Sequence, residues 1–453
     1  MTKSYFFVGI GGSGMMPLAE IVAAKGHLVA GSDRSLDQGR LGLKFVTLAE
    51  KGIALHAQDG SGITSADQVV VASAAVEASV PDIVRATELG CARLTRAELL
   101  AELFNVAPVS IAVAGTSGKS TVTGMIGWIL DHAGRDPTIM NGAVMKNYGS
   151  GARVGGGNMF VSEVDESDGS IALYVPDIAV LNNVAVDHKS MAELRTLFGD
   201  FLGRAGSAVV NADNAEALAL FPGGEGLTFG FGPDADLQAT DIVEHSDGVS
   251  FTITHHPSKI ACAARLAVPG RHNVSNALAA IGTVSRAGIG LTEAAGALAT
   301  FAGLKRRMET VGSANGITVI DDFGHNPDKI AATLSALHAF PGRLLIYFQP
   351  HGYGPLKQMG REIADSFIAN MQGDDRLLVS DPAYFGGTVD RSVGAGALVA
   401  MIGAQAEHIA DRADCGTWLV KQARPGDRIV VMGARDDTLS IFAAGLLDSI
   451  ASA

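Results

Sequence analysis

The segment Gly115-Thr116-Ser117-Gly118-Lys119-Ser120-Thr121 joins an apolar run, Ser110–Ala114, to the helix-like stretch Val122–Leu130. A glycine-rich loop between a strand and a helix offers backbone N–H groups and the positive helix end to phosphate oxygens. Lys119 would add a mobile cation against the β- and γ-phosphates, and Ser120 a hydroxyl for Mg²⁺. Position 113 is Val113, so the spacing is the shorter G-x-x-G-K-[ST] form. These residue types in this order predict a nucleotide phosphate site made by Gly115, Thr116, Ser117, Gly118, Lys119, Ser120 and Thr121.

A second loop, Gly9-Ile10-Gly11-Gly12-Ser13-Gly14, matches G-x-G-x-x-G after the apolar run Tyr5–Val8, and Asp33 closes the next strand. Alone it would suggest NAD or FAD with Asp33 on a ribose, yet any diphosphate benefits from such a loop. Two phosphate loops about a hundred residues apart predict two different phosphorylated ligands, where a dehydrogenase needs one.

Glu163-Val164-Asp165-Glu166-Ser167-Asp168 places four carboxylates in six residues after the strand Met159–Val161. They repel one another unless a cation offsets them. Beside a phosphate loop that cation is naturally Mg²⁺, which takes oxygen ligands and substrate phosphates together. Strand alternation would set Glu163, Asp165 and Ser167 on one side. His188 ends the run Asn182-Asn183-Val184-Ala185-Val186-Asp187-His188 and is a candidate for a second metal or a phosphate, or is structural. His272-Asn273-x-x-Asn276, Arg306-Arg307 and Asp321-Asp322-x-x-His325 are each weak alone; their order and spacing carry the information.

The elements that must hold these residues alternate strand and helix. Tyr5–Ile10, His27–Gly31 and Gln68–Ser73 read as strands. Met15–Lys25, Pro81–Leu89 and Thr95–Phe104 read as helices, the last with a Thr cap and Glu98 in its first turn. Val109–Ala114, Met159–Val164, Asp177–Leu181, Ile317–Ile320, Arg343–Phe348, Arg376–Val379 and Arg428–Met432 are further strands, and Pro327–His338 a helix. This is the βαβ pattern of parallel sheets. With 453 residues, breaks near Asn105–Pro108 and Phe301–Lys305 predict three α/β domains at 1–107, 108–302 and 303–453. Charged residues at 18% and hydrophobic ones at 47% permit a large core and argue against disorder. A net charge of −13 disfavours nucleic acid and anionic membrane as partners. Three scattered cysteines, Cys91, Cys262 and Cys415, form no CxxC pair, which argues against zinc or a disulfide framework. The start has no signal-peptide pattern and no long apolar span occurs, so a cytoplasmic location is expected.

Taken together, these motifs resemble the Mur ligase family over essentially the whole chain. Gly9–Met15 with Gly31-Ser32-Asp33 resembles its UDP-sugar domain, as do Val71–Ala75 and Leu94–Leu100. Glu163–Asp168 resembles its Mg²⁺ strand, and Asp187-His188 falls where the family holds its second metal. Pro269–Ala277 is similar to the adenine-side helix start, Arg306-Arg307-Met308-Glu309 to the linker whose second Arg reaches ATP, and Asp321–Pro327 to the C-terminal contribution to the nucleotide. Gln349-Pro350-His351 resembles the start of the amino-acid site.

The resemblance implies an N-terminal Rossmann-like UDP-binding domain, a central P-loop ATPase-type α/β domain and a C-terminal Rossmann-like α/β domain. It implies an ADP-forming acid–amino-acid ligase of peptidoglycan precursor synthesis, with ATP and Mg²⁺ as cofactors. The substrates would be UDP-N-acetylmuramate and L-alanine, a related amino acid or a short peptide. The catalytic set would be Lys119, Glu163 and His188, with Ser120, Glu163 and His188 on metal. Asn273, Asn276, Arg307, Asp322 and His325 would join the loop on ATP. Gly9, Gly11, Gly12, Ser13, Gly14, Asp33 and Ser73 would hold the UDP-sugar, and His351 and Lys357 the acceptor. The chain departs from the branch it most resembles at Ser117, usually His, and at Gly352 and Pro355, usually arginines. No Lys lies between Lys189 and Lys259, so the carbamylated lysine of several relatives is not expected. A peptide-recycling ligase, a paralogue with another acceptor and a non-catalytic nucleotide-binding paralogue are the competing readings.

Overall fold

The computed structural model describes residues 2–40, 42–73, 76–185, 189–221, 223–245, 248–382, 390–434, 436 and 438–452. The chain forms two compact units. One comprises Met1–Asp241, Phe251–Leu266 and Val274–Ala302; the other comprises Ile242–Ser250, Ala267–Asn273 and Gly303–Ala453.

The first unit opens with a five-stranded parallel sheet in the spatial order Ala54–His56, Leu28–Ser32, Ser4–Val8, Gln68–Ala72, Arg93–Thr95. Phe6 and Phe7 on the central strand are both fully buried, as a parallel strand covered on two faces requires. The chain order reverses between Ser4–Val8 and Gln68–Ala72. The loop after Val8 therefore opens at the switch point, where α/β sheets bind ligands. Helix Arg96–Asn105 begins with the expected Thr95 cap. Glu98 N donates to Thr95 Oγ1 at 3.1 Å and Thr95 N to Glu98 Oε2 at 2.7 Å, a reciprocal capping box. At its other end Phe104 packs on Phe160 and Tyr174, with ring centroids 5.7 and 5.2 Å apart. One hydrophobic cluster thus runs from Phe7 and Leu18 to Phe160 and Phe198 and holds this sheet to the next.

The second sheet has ten strands. Seven of them lie in the order Leu227–Gly230, Ser207–Asn211, Ile178–Leu181, Val109–Ala114, Met159–Glu163, Thr138–Met145, Ser150–Arg153. All these neighbours are parallel except the last hairpin. The chain leaves Val109–Ala114 toward one side and later returns to the other, so Gly115 also emerges at a switch point. Helix Lys119–His132 follows, with Val122, Met125, Ile126, Ile129 and Leu130 fully buried.

The second unit carries a six-stranded sheet in the order Glu309–Ala314, Ile317–Asp322, Arg428–Gly433, Leu344–Gln349, Arg376–Val379, Ala406–His408. Its neighbours are parallel except the first pair. That pair is joined through Asn315 and Gly316, with φ +51° and +76°, as a two-residue hairpin with both central φ positive demands. Among the described residues no helix is long and apolar enough to cross a membrane.

Candidate active site

The backbone after Ala114 turns through Gly115 at φ +136° and Gly118 at φ +83°, a region in which a Cβ is crowded. At Gly118 a Cβ would overlap Asn182 Nδ2 and lie 2.6 Å from Asn276 Oδ1, so glycine is required there for space as well as for conformation. The loop is clamped from the neighbouring strand. Leu181 stands opposite Ala114 in the parallel pair, which brings Asn182 and Asn183 beside Gly115. Thr116 Oγ1 and Ser117 N both donate to Asn183 Oδ1 at 2.8 Å, and Asn183 Nδ2 donates to Ser117 O at 3.0 Å. Asn182 Nδ2 donates to Ser117 O and to Asn276 Oδ1, each at 3.0 Å. Asn276 is thereby tied directly to the loop.

Lys119 and Ser120 open the helix and reach two positions of the acidic segment. Ser120 Oγ donates to Glu163 Oε2 at 2.7 Å. Lys119 Nζ donates at 2.7 Å to both Gly115 O and Glu166 Oε2. Glu163 ends its strand opposite Val113. Strand pairing stops there, and Ser167 N donates to Asp165 Oδ1 at 2.8 Å across a tight turn. The alternation expected for Glu163, Asp165 and Ser167 therefore does not extend past Glu163, because alternation belongs to a strand and this segment has become a turn. Glu166, 4% exposed, is the carboxylate that meets the lysine.

Burial raises the Asp165 carboxyl, but Lys119, the Ser167 hydrogen bonds and Arg96 outweigh it and hold the group below the usual carboxylate range. Arg96 also lies along the N-terminal loop Gly9–Gly14, for a Cβ on Gly14 would be 3.1 Å from Arg96 Cδ. Among the described residues no three His, Cys, Asp or Glu side chains gather as a metal cage. The Ser120–Glu163 pair is instead an open, oxygen-only arrangement. His188 lies outside the described residues.

In the N-terminal loop, Gly9 N and Ile10 N donate to Ser32 O at 2.8 and 2.9 Å. Gly11 N donates to Asp33 Oδ2 at 2.9 Å, and Ser35 N to Asp33 Oδ1 at 2.7 Å. Asp33, buried, thus shapes the loop and caps the helix Arg34–Asp37. Gly12 and Ser13 are exposed. Ser73 follows Ala72, the strand partner of Val8, and so stands next to Gly9 at the switch point.

In the second unit Asn273 Nδ2 donates to Pro269 O at 2.7 Å. Arg306 is buried and donates to Gly433 O at 2.8 Å and Asp436 O at 3.1 Å. Arg307 is less buried and stacks over Phe323, its guanidinium carbon 4.6 Å from the ring centre. Asp322 accepts from Met308 N, Gly324 N and Thr333 Oγ1 at 2.8 to 2.9 Å, so it fastens the linker to the strand end. His325 Nδ1 pairs with Phe323 O at 2.8 Å, and its ring meets His351 edge-on at 4.9 Å. Burial, with Lys329 close by, pushes the His325 imidazole down to about 2, so it is neutral. Lys357 pairs with Asp390 at 2.7 Å. Gln349 donates to Asp436 Oδ2 at 3.0 Å and accepts from Arg412 Nη2 at 2.6 Å. Arg412 also bonds Asp436 and, at 2.7 Å, Thr438 Oγ1.

Lys119, Ser120, Glu163 and Asn276 are thus brought together, as are Gly11 with Asp33 and His325 with His351. Sequence reasoning assigned no individual role to Asn182, Asn183, Arg96 or Arg412, and placed Glu166 only within the acidic cluster expected to meet Mg²⁺. The available signal was position: two asparagines ending a buried strand, and an arginine opening a capped helix.

Family models match three stretches: the Mur ligase family, catalytic domain at 4–107, the Mur ligase middle domain at 113–284, and the Mur ligase, glutamate ligase domain at 306–435. The UDP-N-acetylmuramate–L-alanine ligase of Acidithiobacillus ferrooxidans is 39% identical over 394 residues, covering 84% of this chain and 83% of that protein. The solved UDP-N-acetylmuramate–alanine ligase of Thermotoga maritima shares the fold with a TM-score of 0.80, at 22% identity and 98% coverage of both chains. A murein peptide ligase of Psychrobacter arcticus superposes with a TM-score of 0.74 at 25% identity, covering 100% of this chain and 99% of its own.

Proposed function

This chain belongs to the Mur ligase family of ATP-dependent amide-forming ligases, and we propose that it joins L-alanine to UDP-N-acetylmuramate in cytoplasmic peptidoglycan precursor synthesis. The observation that carries the reading is the divergence of two consecutive residues from one helix start. Lys119 reaches Glu166 and Ser120 reaches Glu163, each at 2.7 Å. A phosphate loop with a cation beside a hydroxyl–carboxylate pair is built for phosphoryl transfer.

A free carboxylate is a poor acyl donor because oxide is a poor leaving group. Transfer of the γ-phosphoryl of ATP to the muramate carboxylate makes an acyl phosphate. The amine then attacks its carbonyl carbon, and phosphate leaves. We assign the loop N–H groups of Gly115–Thr121 and the Lys119 ammonium to the phosphate charge of both steps. Asn183 takes the Thr116 and Ser117 N–H groups itself and, with Asn182, braces the loop that presents the rest. Ser120 Oγ and Glu163 are hard oxygen donors that fit Mg²⁺, and the ion would supply charge neutralisation on the phosphates. Asn273 and Asn276 are assigned to the adenine side, and Arg307, splayed on Phe323, to a phosphate. Asp322 and His325 act through the loop they brace. Gly9, Gly11, Gly12, Ser13, Gly14 and Ser73 would receive the UDP diphosphate, with Asp33 holding the loop's shape and Arg96 alongside. In this reading 1–107 serves the UDP-sugar, 108–302 ATP and 303–453 the acceptor, where His351 and Lys357 are candidates.

Full-length similarity to a murein peptide ligase and the Gly352 and Pro355 departures favour a second reading, with a tripeptide as acceptor. ADP release measured with UDP-N-acetylmuramate and either L-alanine or a tripeptide separates the two. Release is expected only with acid and amine together, and to be abolished in Lys119→Ala. Release without an amine, or a Lys119→Ala variant with normal turnover, would overturn the assignment.

A further inference from the structure

Lys119 has three N–H donors, and two are spent inside the protein. One goes to Gly115 O, which folds the side chain back over its own loop, and one to Glu166 Oε2. The ion pair is shielded: the Lys119 and Glu166 side chains are 20% and 5% exposed. A lysine in this posture cannot at once extend to the β/γ-phosphates of a nucleotide.

We propose that Glu166 is a positioning residue for ATP: it holds Lys119 in a retracted pose, and the nucleotide's phosphates must take the lysine from it. The inference rests on the reading of Gly115–Thr121 as the ATP site. Glu166 is well placed for this because it rides the same short segment as Glu163. Ser120 and Lys119 are adjacent on the helix, and their carboxylate partners are three residues apart on the acidic segment. A cation held at Ser120–Glu163 would leave Glu166 in place, so the lysine contact is the one that exchanges. The nucleotide-free protein gains stability from the pair, and ATP binding gives that gain up.

The test is ATP affinity by calorimetry, with thermal unfolding with and without ATP, for the wild type, Glu166→Gln, Lys119→Ala and Asp168→Asn. Glu166→Gln keeps the shape and removes the charge. It is expected to bind ATP about three- to tenfold more tightly, the range set by one partly buried charge-assisted contact. Its unliganded unfolding temperature should fall while the ATP-loaded one stays near wild type, so ATP produces the larger rise in the variant. Raised salt should leave most of this effect intact, because the contact is short. Asp168→Asn, in the same turn with its carboxylate on Ser170 N, should show a smaller effect that salt abolishes.

Unchanged or weaker ATP binding in Glu166→Gln, with Lys119→Ala impaired, would overturn this inference and leave the ATP site standing. Wild-type ATP binding in Lys119→Ala would overturn both. If Glu166→Gln does not fold, Glu166→Asp, whose carboxylate retracts from Lys119, must show the same tightening.

Discussion

Gly142 controls the geometry of the proposed metal pair without carrying any of its chemistry. It lies exposed in the strand Thr138–Met145. A Cβ there would overlap Glu163 Oε1 and approach Glu163 Cδ to 3.0 Å. The opposing atom is the end of a flexible side chain, so in Gly142→Ala the clash is relieved by rotating the carboxylate away. The backbone has no reason to shift: alanine in a strand is, if anything, favoured over glycine by roughly 0.5 kcal/mol. What is lost is the bond from Ser120 Oγ to Glu163 Oε2 at 2.7 Å. Turned away from Ser120, the carboxylate is no longer oriented for an ion, and loss of such orientation typically costs about ten- to a hundredfold in metal affinity. The Mg²⁺ concentration for half-maximal ADP release should rise by roughly that factor. Chemical unfolding should change by less than about 1 kcal/mol. The assay is a Mg²⁺ titration of ADP release beside a denaturant curve. Excess Mg²⁺ should recover much of the rate in Gly142→Ala but not in Glu163→Gln. A wild-type Mg²⁺ titration in a folded Gly142→Ala protein would refute the assignment of Ser120 and Glu163 to the ion.

Asn183→Ala removes a side chain that holds Thr116 and Ser117 through three hydrogen bonds. At about 1 kcal/mol for each bond lost, the KM for ATP should rise by an order of magnitude or more while the KM for UDP-N-acetylmuramate stays put; equal rises in both would mean general unfolding. His325 gives a pH signature. Burial and Lys329 depress its pKa, so below about pH 6.5 the unfolded chain takes up a proton that the folded one refuses, and stability falls as pH drops. Denaturant midpoints at pH 7.5 and 5 should show His325→Gln losing less stability than wild type, by at most about 2 kcal/mol; a loss equal to wild type would contradict the buried neutral imidazole.

What was legible in the sequence is what the chain encodes locally. The strand Val109–Ala114 and the helices Pro81–Leu89 and Pro327–His338 end where apolar periodicity and Pro or Gly end them. Thr95 and Glu98 announced their own capping box. The strands Leu237–His245, Gly248–His255 and Ile260–Leu266 were not read, although Gly248–His255 alternates buried and less buried residues along much of its length. Nor was the Asn315-Gly316 hairpin, whose dipeptide is a turn signal in its own right. The missed site residues share a different cause. Asn183 meets Thr116 across 67 positions, and Lys119 meets Glu166 across 47. Both contacts are set by which strands become neighbours. Local sequence placed Glu163 near the strand's end but carried the alternation on to Asp165 and Ser167; only the turn that follows Glu163 determines that Glu166, and not Asp165, bonds the lysine.

The segment proposed for the acceptor shows the same dependence of side-chain choice on backbone. The arginines expected after His351 are Gly352 and Pro355. Gly352 has φ +149°, and Pro355 sits in the first turn of helix Tyr353–Asn370, where the fixed proline φ suits a helix start. An arginine restored at position 352 would meet a conformation that costs a residue with a Cβ roughly 1–3 kcal/mol. The missing fork is therefore built into the main chain and is not a side-chain change alone. Nor does Lys357 or Arg412 simply replace it: Asp390 pairs with the first, and Asp436 with Gln349 and Thr438 engages the second. Arg412 instead orients Gln349, the last residue of the strand that delivers His351. Its cation thus acts on the strand terminus, and if His351 serves the acceptor as proposed, recognition would rest on how Gln349 and His351 are held rather than on an arginine fork.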